Sequence, residues 1–434
     1  MERISLTEAH IVRPRRRLIL PAPCAHPSLP SAVSVPASIS SLPTRTPVLG
    51  ALLERWANLN SGSGHAAGLE RMRTALGADW ARVFPRAQIE EIPADAPGFN
   101  PVGVRSLSLR MRPDADRQVL LCGHYDTVYE ADDAFQTCRW LDAQTLCGPG
   151  TADMKGGLVT MLAALQAFEE TPHAARVGWE VMLTPDEETG SHGSVELLRA
   201  AARRHDFGFV FEPGRPNGDI VQSRKGTGTV TAICHGRAAH AAKVPSDGRS
   251  AVLALAAFVL EAAKIPADMR GVLVNIGNFH GGTPATNVVP HLAKAEIDVR
   301  ITTAANREPL LARFRELADR IGGQTGVTLE LQGGFNRPPK ECVPAEVQAY
   351  AEWQRAARDV GVAPFSWVHT GGASDGNFLS DAGLPCLDGL GPLGDQLHSD
   401  REFCRVETIA PRAQIVALFL HRVAAGEISL ASRR

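Results

Sequence analysis

The chain has 434 residues, 44% hydrophobic and 21% charged, with 45 Lys and Arg against 47 Asp and Glu. One hydrophobic core stops growing at roughly 250–300 residues, so this length predicts at least two domains. The near-neutral balance argues against a nucleic-acid partner, the lack of a run of about 18 apolar residues argues against a membrane span, and the composition is that of a globular protein.

At the N-terminus, Arg15-Arg16-Arg17 followed by Leu18-Ile19-Leu20 resembles the start of a signal peptide. Pro21 and Pro23 end that apolar run short of the roughly 7–15 residues such a segment needs. Residues 1–45, rich in Pro, Ser and Ala, are expected to be a mobile extension. Leu49, Leu52, Leu53, Trp56 and Leu59 recur at helical spacing and predict a helix from about residue 48, ended by Asn60-Ser61-Gly62. A second helix is expected over 67–76. Residues 102–112 alternate as a half-buried strand does, and 118–123 form a continuous apolar run that fits a buried strand. An apolar helix is expected over 154–168, and strands over 178–184 and 207–211. This alternation predicts an α/β layer architecture with a mixed sheet flanked by helices.

After about Ser223 the pattern changes. A strand over 226–235, a helix over 250–263, strands over 272–277 and 293–300, a helix over 308–321 and a strand over 327–332 predict a ferredoxin-like α+β unit. From Glu346 the chain returns to helix, then to a strand over 384–390 and a final helix over 411–425. The simplest reading is a discontinuous α/β domain, 46–223 and 335–434, around an insert at 224–334. Eight cysteines (Cys24, Cys122, Cys138, Cys147, Cys234, Cys342, Cys386 and Cys404) form no CxxC pair. They suggest reduced thiols and a cytoplasmic setting, with a periplasmic one as the lesser alternative.

Residues able to hold metal or move protons fall just past the expected strands. His124 and Asp126 follow the run ending at Gly123. Asp153 lies in the stretch Gly148 to Gly157 at the start of a helix. Asp186-Glu187-Glu188 follow the 178–184 strand, Glu212 follows 207–211, and His398 sits in a loop after Gly391. α/β sheets place their sites at the carboxyl ends of strands. Imidazole nitrogen and carboxylate oxygen suit Zn²⁺, and also Co²⁺ or Mn²⁺. Two histidines and three acids exceed the needs of one four-coordinate zinc and match two ions about 3.5–4 Å apart sharing a carboxylate. Of Glu187 and Glu188, one can ligate while the other takes a proton. Asp126 can accept the second N–H of His124 and fix its tautomer. Taken singly, His124 reads as a loop histidine, the acidic triplet as solvated surface and Glu212 as a turn cap beside Pro213. Their recurrence just past apolar strands and in Gly-rich turns favours a site.

The strings GHYDTV (123–128), GPGTADMKGG (148–157), PDEETGS (185–191), FEPG (211–214), GRAAHA (236–241), GGTPATNVVP (281–290), GGASDGNF (371–378) and HSDREF (398–403) resemble the M20 metallopeptidases over residues 50–425. The resemblance implies two Zn²⁺ per subunit, with Co²⁺ or Mn²⁺ as alternatives. His124 and Glu212 would ligate one ion, Glu188 and His398 the other, and Asp153 would bridge them through a turn whose Asp153–Met154 bond is cis. Glu187 would be the general base and Asp126 the orienter of His124. The insert would be a lid and dimerisation domain. From it, His240 would reach the neighbouring subunit's site to stabilise an oxyanion, and Asn287 would meet the substrate. Arg337 of FNRPP would grip a substrate carboxylate, a role its fork of donors suits. Gly371 and Gly372 would let backbone amides approach the ligand. Two departures lie beside the pocket: Val128-Tyr129-Glu130 lacks the usual proline, and Ala239-His240-Ala241-Ala242 lacks the usual serine and glycine.

The function implied is that of a di-zinc hydrolase, glutamate carboxypeptidase-like, that cleaves an amide next to a free carboxylate and releases a C-terminal amino acid from N-acyl or peptide conjugates. The alternatives are an N-acyl-amino-acid deacylase or a dipeptidase and, in another class, a non-catalytic metal-binding homologue, which would have lost Glu187 or a ligand. A homodimer through the lid completes the expectation.

Overall fold

The structure, a computed structural model, describes residues 34–243 and 247–430. Residues 37–45, expected to belong to a mobile extension, are folded. A helix over Ala37–Ser40 and a 3₁₀ turn over Leu42–Arg45 are formed, with Ile39 and Leu42 fully buried. Ser38 Oγ donates to the Ala167 carbonyl and Gln414 Nε2 to the Ile39 carbonyl, both at 2.9 Å. Two aliphatic anchors, each worth roughly 1.5–3 kcal/mol when buried, outweigh a local composition that reads as disordered. The Arg15–Leu20 pattern and Cys24 lie outside the described residues.

The large sheet has eight strands, in the spatial order Gln88–Pro93, Arg105–Met111, Val177–Thr184, Arg117–His124, Phe207–Val210, Cys386–Asp388, Ile220–Arg224 and Trp367–Thr370. The central strands Val177–Thr184, Arg117–His124, Phe207–Val210 and Cys386–Asp388 run parallel; the first two strands are antiparallel additions at one edge. The Arg117–His124 strand explains its own unbroken hydrophobicity. Val119 and Leu121 join the core beneath helices Gly157–Glu169 and Ile409–Ala425, whereas Leu120 and Cys122 join a second core with Leu198, Ala201 and Phe378 on the opposite face. Successive side chains point to opposite faces, so a strand covered on both sides must be apolar throughout.

Gly226–His235, Val272–Gly281, Leu292–Ile301 and Thr328–Arg337 form a separate antiparallel sheet, with the chain's first and third strands at its centre. Helices Ala251–Ala262 and Arg307–Thr325 cover one face, packing Phe258, Phe314 and Leu310 against Val230, Ala232, Ile297 and Val299. This is the ferredoxin-like arrangement, with the order strand–helix–strand–strand–helix–strand. The last strand runs to Arg337, five residues past its expected end. Arg337 is therefore carried on this sheet, rather than on the returning segment that begins at 335. The two crossings lie side by side, with Arg224 and Lys340 exchanging backbone hydrogen bonds at 3.1 and 3.0 Å.

Several elements left little trace in the sequence. Gln88–Pro93 is an exposed edge strand carrying two adjacent glutamates, so no alternation marks it. Trp367–Thr370 and the two- and three-residue strands of a small sheet (Arg139–Trp140, Thr145–Cys147, Gly394–Asp395, Phe403–Arg405) are too short to show a period. The helix expected over 154–168 begins only at Gly157, after an irregular turn over Thr151–Gly156.

Candidate metal centre

Three parallel strands end at one edge of the large sheet and deliver the first residues of the site. His124 closes Arg117–His124, Glu187 and Glu188 lie in the turn after Thr184, and Glu212 follows Val210. Asp153 comes from the irregular turn before helix Gly157–Glu169. Gly150 starts that turn at φ 70°, and the Asp153–Met154 peptide is cis, as the resemblance implied. Gly157 seats the turn against the Glu212 segment, since a Cβ there would lie 2.1 Å from the Phe211 carbonyl oxygen. His398 has a left-handed backbone, φ 59°, a conformation that costs a non-glycine residue roughly 1–3 kcal/mol and that the surrounding loop must hold.

These elements bring five residues into two groups that share Asp153: His124, Asp153 and Glu212, and Asp153, Glu188 and His398. One ligand atom from each member lies within 4.8 Å of the others in its group. His124 Nε2 is 3.2 Å from Asp153 Oδ1 and 3.8 Å from Glu212 Oε1. His398 Nε2 is 3.5 Å from Asp153 Oδ2 and 3.3 Å from Glu188 Oε2. The two Asp153 oxygens thus face different histidines. The donors are imidazole and carboxylate only, with no thiolate, a set that fits Zn²⁺, Co²⁺ or Mn²⁺ in each group.

Asp126 is fully buried and organises both flanks of the site. Its Oδ1 lies 3.2 Å from His124 Nδ1, which leaves Nε2 facing the cluster. Its carboxylate also accepts the backbone N–H groups of Glu187 and Glu188 at 3.1 Å and the Ser63 hydroxyl at 2.8 Å. The crowding of carboxylates shows in their proton affinities. Burial, then the charge of Asp153, raises Glu188 to about 8 and lifts Glu212 well above its ordinary range. Hydrogen bonds to Asp153 and Glu188 raise His398 to about 11. Burial alone would lower His124, but its bonds to Asp126 and Asp153 leave it well above the usual imidazole value. Without cations the cluster retains protons, and divalent ions would replace them.

The remaining expected residues divide. Arg337 is buried and reaches this edge, but in the present state its guanidinium pairs with the Glu187 carboxylate, donates to the Glu187 carbonyl and lies 3.0 Å from Ser191 Oγ. The group expected to grip a substrate carboxylate thus already holds one belonging to the protein. Gly371 and Gly372 are exposed, with nothing within 4 Å of where a Cβ would sit, so packing does not require glycine there. Their carbonyls accept bonds from Arg300 at 2.9 Å and Arg224 at 3.4 Å. His240 and Asn287 are exposed and adjacent, as the Ala241 N–H donates to the Asn287 carbonyl at 2.9 Å. Among the described residues, no hydrogen bond or ion pair joins either side chain to the carboxylate cluster.

Sequence reasoning missed two buried acids. Asp375 accepts hydrogen bonds from Thr184 Oγ1 at 2.7 Å and from the Ser191 hydroxyl, tying the SDGNF turn to the loop of Glu187. Glu402 contacts the Asp153 turn. Both lie inside the recognised strings, but no spacing rule distinguishes a supporting acid from a surface one.

The profile of peptidase family M20/M25/M40 matches residues 120–422. Carboxypeptidase G2 of Pseudomonas sp. (strain RS-16) is 26% identical over 386 residues, spanning 86% of this chain and 89% of that protein. The succinyl-diaminopimelate desuccinylase of Nitrosomonas europaea is 30% identical over 291 residues, spanning 64% of this chain and 75% of that protein. The fold is shared with the Bacillus subtilis YXEP protein, described as a dinuclear metal binding peptidase, at TM-score 0.65 and 14% identity, covering 89% of this chain and 99% of that one.

Proposed function

The chain belongs to peptidase family M20/M25/M40 and is a hydrolase of that family, and we propose that it uses two divalent ions, zinc first among them, to cleave an amide next to a free carboxylate. The observation that carries this reading is the pair of ligand groups sharing Asp153. His124 and Glu212 would hold one ion, Glu188 and His398 the other, and Asp153 both. The ions would supply Lewis acidity and lower the pKa of water between them.

The chain's own residues supply the rest. Asp126 fixes the His124 tautomer and anchors the backbone of Glu187 and Glu188. The Glu187 carboxylate takes the proton of the attacking water and passes it to the leaving amine nitrogen. Arg337 holds that carboxylate in place until a substrate carboxylate competes for the guanidinium. His240 and Asn287 serve the oxyanion and the substrate from a neighbouring subunit. Exposed Leu253, Leu260, Leu273 and Phe279 on the smaller sheet and its helix support a dimer through that unit.

The substrate reading is release of a C-terminal amino acid from an N-acyl or peptide conjugate. A second reading, N-acyl-amino-acid deacylation, is favoured by the 30% identity to a desuccinylase. Both break the same kind of bond. No described helix is long and apolar enough to cross a membrane, and the seven described cysteines are free, which suits a cytoplasmic setting. A panel of N-acyl-amino acids and dipeptides, assayed with added Zn²⁺ or Co²⁺, tests the proposal. Turnover that a chelator removes and metal restores is expected, whereas turnover indifferent to chelation would overturn it.

A further inference from the structure

Glu402 ligates nothing in the scheme above, yet it is 1% exposed and surrounded by donors. Its Oε1 accepts the backbone N–H groups of Ala152 and Asp153, both at 2.9 Å. Its Oε2 accepts the Gly150 N–H at 3.1 Å and the Tyr129 hydroxyl at 2.8 Å. The Glu402 carbonyl accepts the Gly148 N–H at 3.1 Å. One residue therefore fastens the turn that carries Asp153 along most of its length. The same residue belongs to the loop of His398, and the single Tyr129 O–H is shared between Glu402 Oε2 and the Ser399 carbonyl of that loop, each 2.8 Å away. Asp153 is the only member common to the two ligand groups, and His398 belongs to the second alone.

We propose that Glu402 is a positioning residue that locks the bridging carboxylate and the His398 loop into one unit, so that the two ligand groups assemble together and bind their ions as a coupled pair. A buried carboxylate is retained only where donors compensate its lost hydration, and charged acceptors make the stronger hydrogen bonds. Four donors meet that requirement, and three of them are amides of the turn whose placement sets the bridge. Supporting groups of this kind typically change metal affinity by about 10–100-fold when removed. The inference rests on the two-ion reading given above.

The test is a zinc titration of the metal-free full chain against a chromogenic chelator, with the melting temperature of the metal-free form measured alongside. Glu402→Ala removes all four acceptor contacts and should weaken both zinc sites by about 10–100-fold. Glu402→Gln keeps the Oε1 contacts but turns an NH₂ toward Gly150, and should weaken both by roughly 3–10-fold. Tyr129→Phe should have the smallest effect. Zinc binding by Glu402→Ala within twofold of wild type would overturn the proposal, as would loss confined to one site. A lowered melting temperature with unchanged zinc affinity would mark a purely structural role and overturn it too. If Glu402→Ala does not fold, Glu402→Gln decides: weakening at both sites supports the coupling, and wild-type affinity overturns it. A wild-type chain that binds no zinc would overturn the proposed function and this inference together, whereas full wild-type uptake with unaffected variants would overturn this inference alone.

Discussion

The candidate residues at the edge of the large sheet and those on the smaller sheet sit in opposite environments. At the edge, His124 and Asp126 are buried, and Asp126 is fixed by the Ser63 hydroxyl and two backbone amides. On the smaller sheet, His240 and Asn287 are exposed and adjacent, the Ala241 N–H donating to the Asn287 carbonyl, and among the described residues neither side chain makes a polar contact with the cluster. Several buried carboxylates in one place are costly, so a metal cluster must be assembled and supported by the fold itself. A residue that acts only once substrate is present carries no such penalty. It can wait on a solvent-facing surface and be brought to the site by another part of the assembly.

The largest effect is expected at the edge: Glu187→Gln should lower kcat by about 10²–10⁴-fold while metal analysis still finds the same ion content. Near-wild-type turnover would remove Glu187 as the base and weaken the functional reading of the whole edge. On the smaller sheet, His240→Ala should cost about 10²–10³ in kcat if it stabilises an oxyanion. Mixed dimers of His240→Ala and Glu187→Gln chains should regain activity, because one of their two sites would have both groups intact. An inactive, verified heterodimer would show that His240 does not act across subunits.

A third prediction concerns protons. In the metal-free chain Glu188 is raised from 4.5 to about 8, so the folded state binds a proton the unfolded state has released over that range. Stability should therefore fall as pH rises from 4.5 to 8. His398, raised first by its bond to Asp153, acts in the same direction, full below 6.5 and fading as pH rises through about 11, though it shares a contact with Glu188 and the two contributions are not independent. Melting curves should show this slope without metal and a flatter one with metal bound; identical slopes would mean that ions do not replace these protons. The smallest effect on stability is expected at the exposed stripe of helix Ala251–Ala262. Leu253→Glu or Leu260→Glu should shift intrinsic stability by no more than about 0.5 kcal/mol yet turn a dimer into a monomer by light scattering.

Much of the site was legible in the sequence because of where its residues fall. His124, Glu187, Glu188 and Glu212 each follow an apolar strand, and the pattern that reveals such a strand also marks its end. Asp153 was legible through the glycines that its turn requires. Less visible were residues defined by what they touch across the fold. Arg337, expected to grip a substrate carboxylate, pairs in this structure with Glu187, far from it in sequence. Glu402 and Asp375 look like ordinary acids until the loops they bind are brought beside them. Ile39 and Leu42, assigned by composition to a mobile extension, are anchors because helices Gly157–Glu169 and Ile409–Ala425 offer them a surface.

The α/β architecture, the inserted α+β unit, the family and a candidate set of metal ligands were legible in the sequence. The first two follow from local periodicity, the candidate ligands from residue types at strand ends, and the family from the resemblance of its ordered strings. The tertiary structure alone decided that Asp153 faces both histidines, that Asp126 serves two loops at once, that Arg337 pairs with Glu187 and that His240 stands exposed. Each of these is a contact between segments distant in sequence, and neither hydrophobic period nor residue type fixes such a distance.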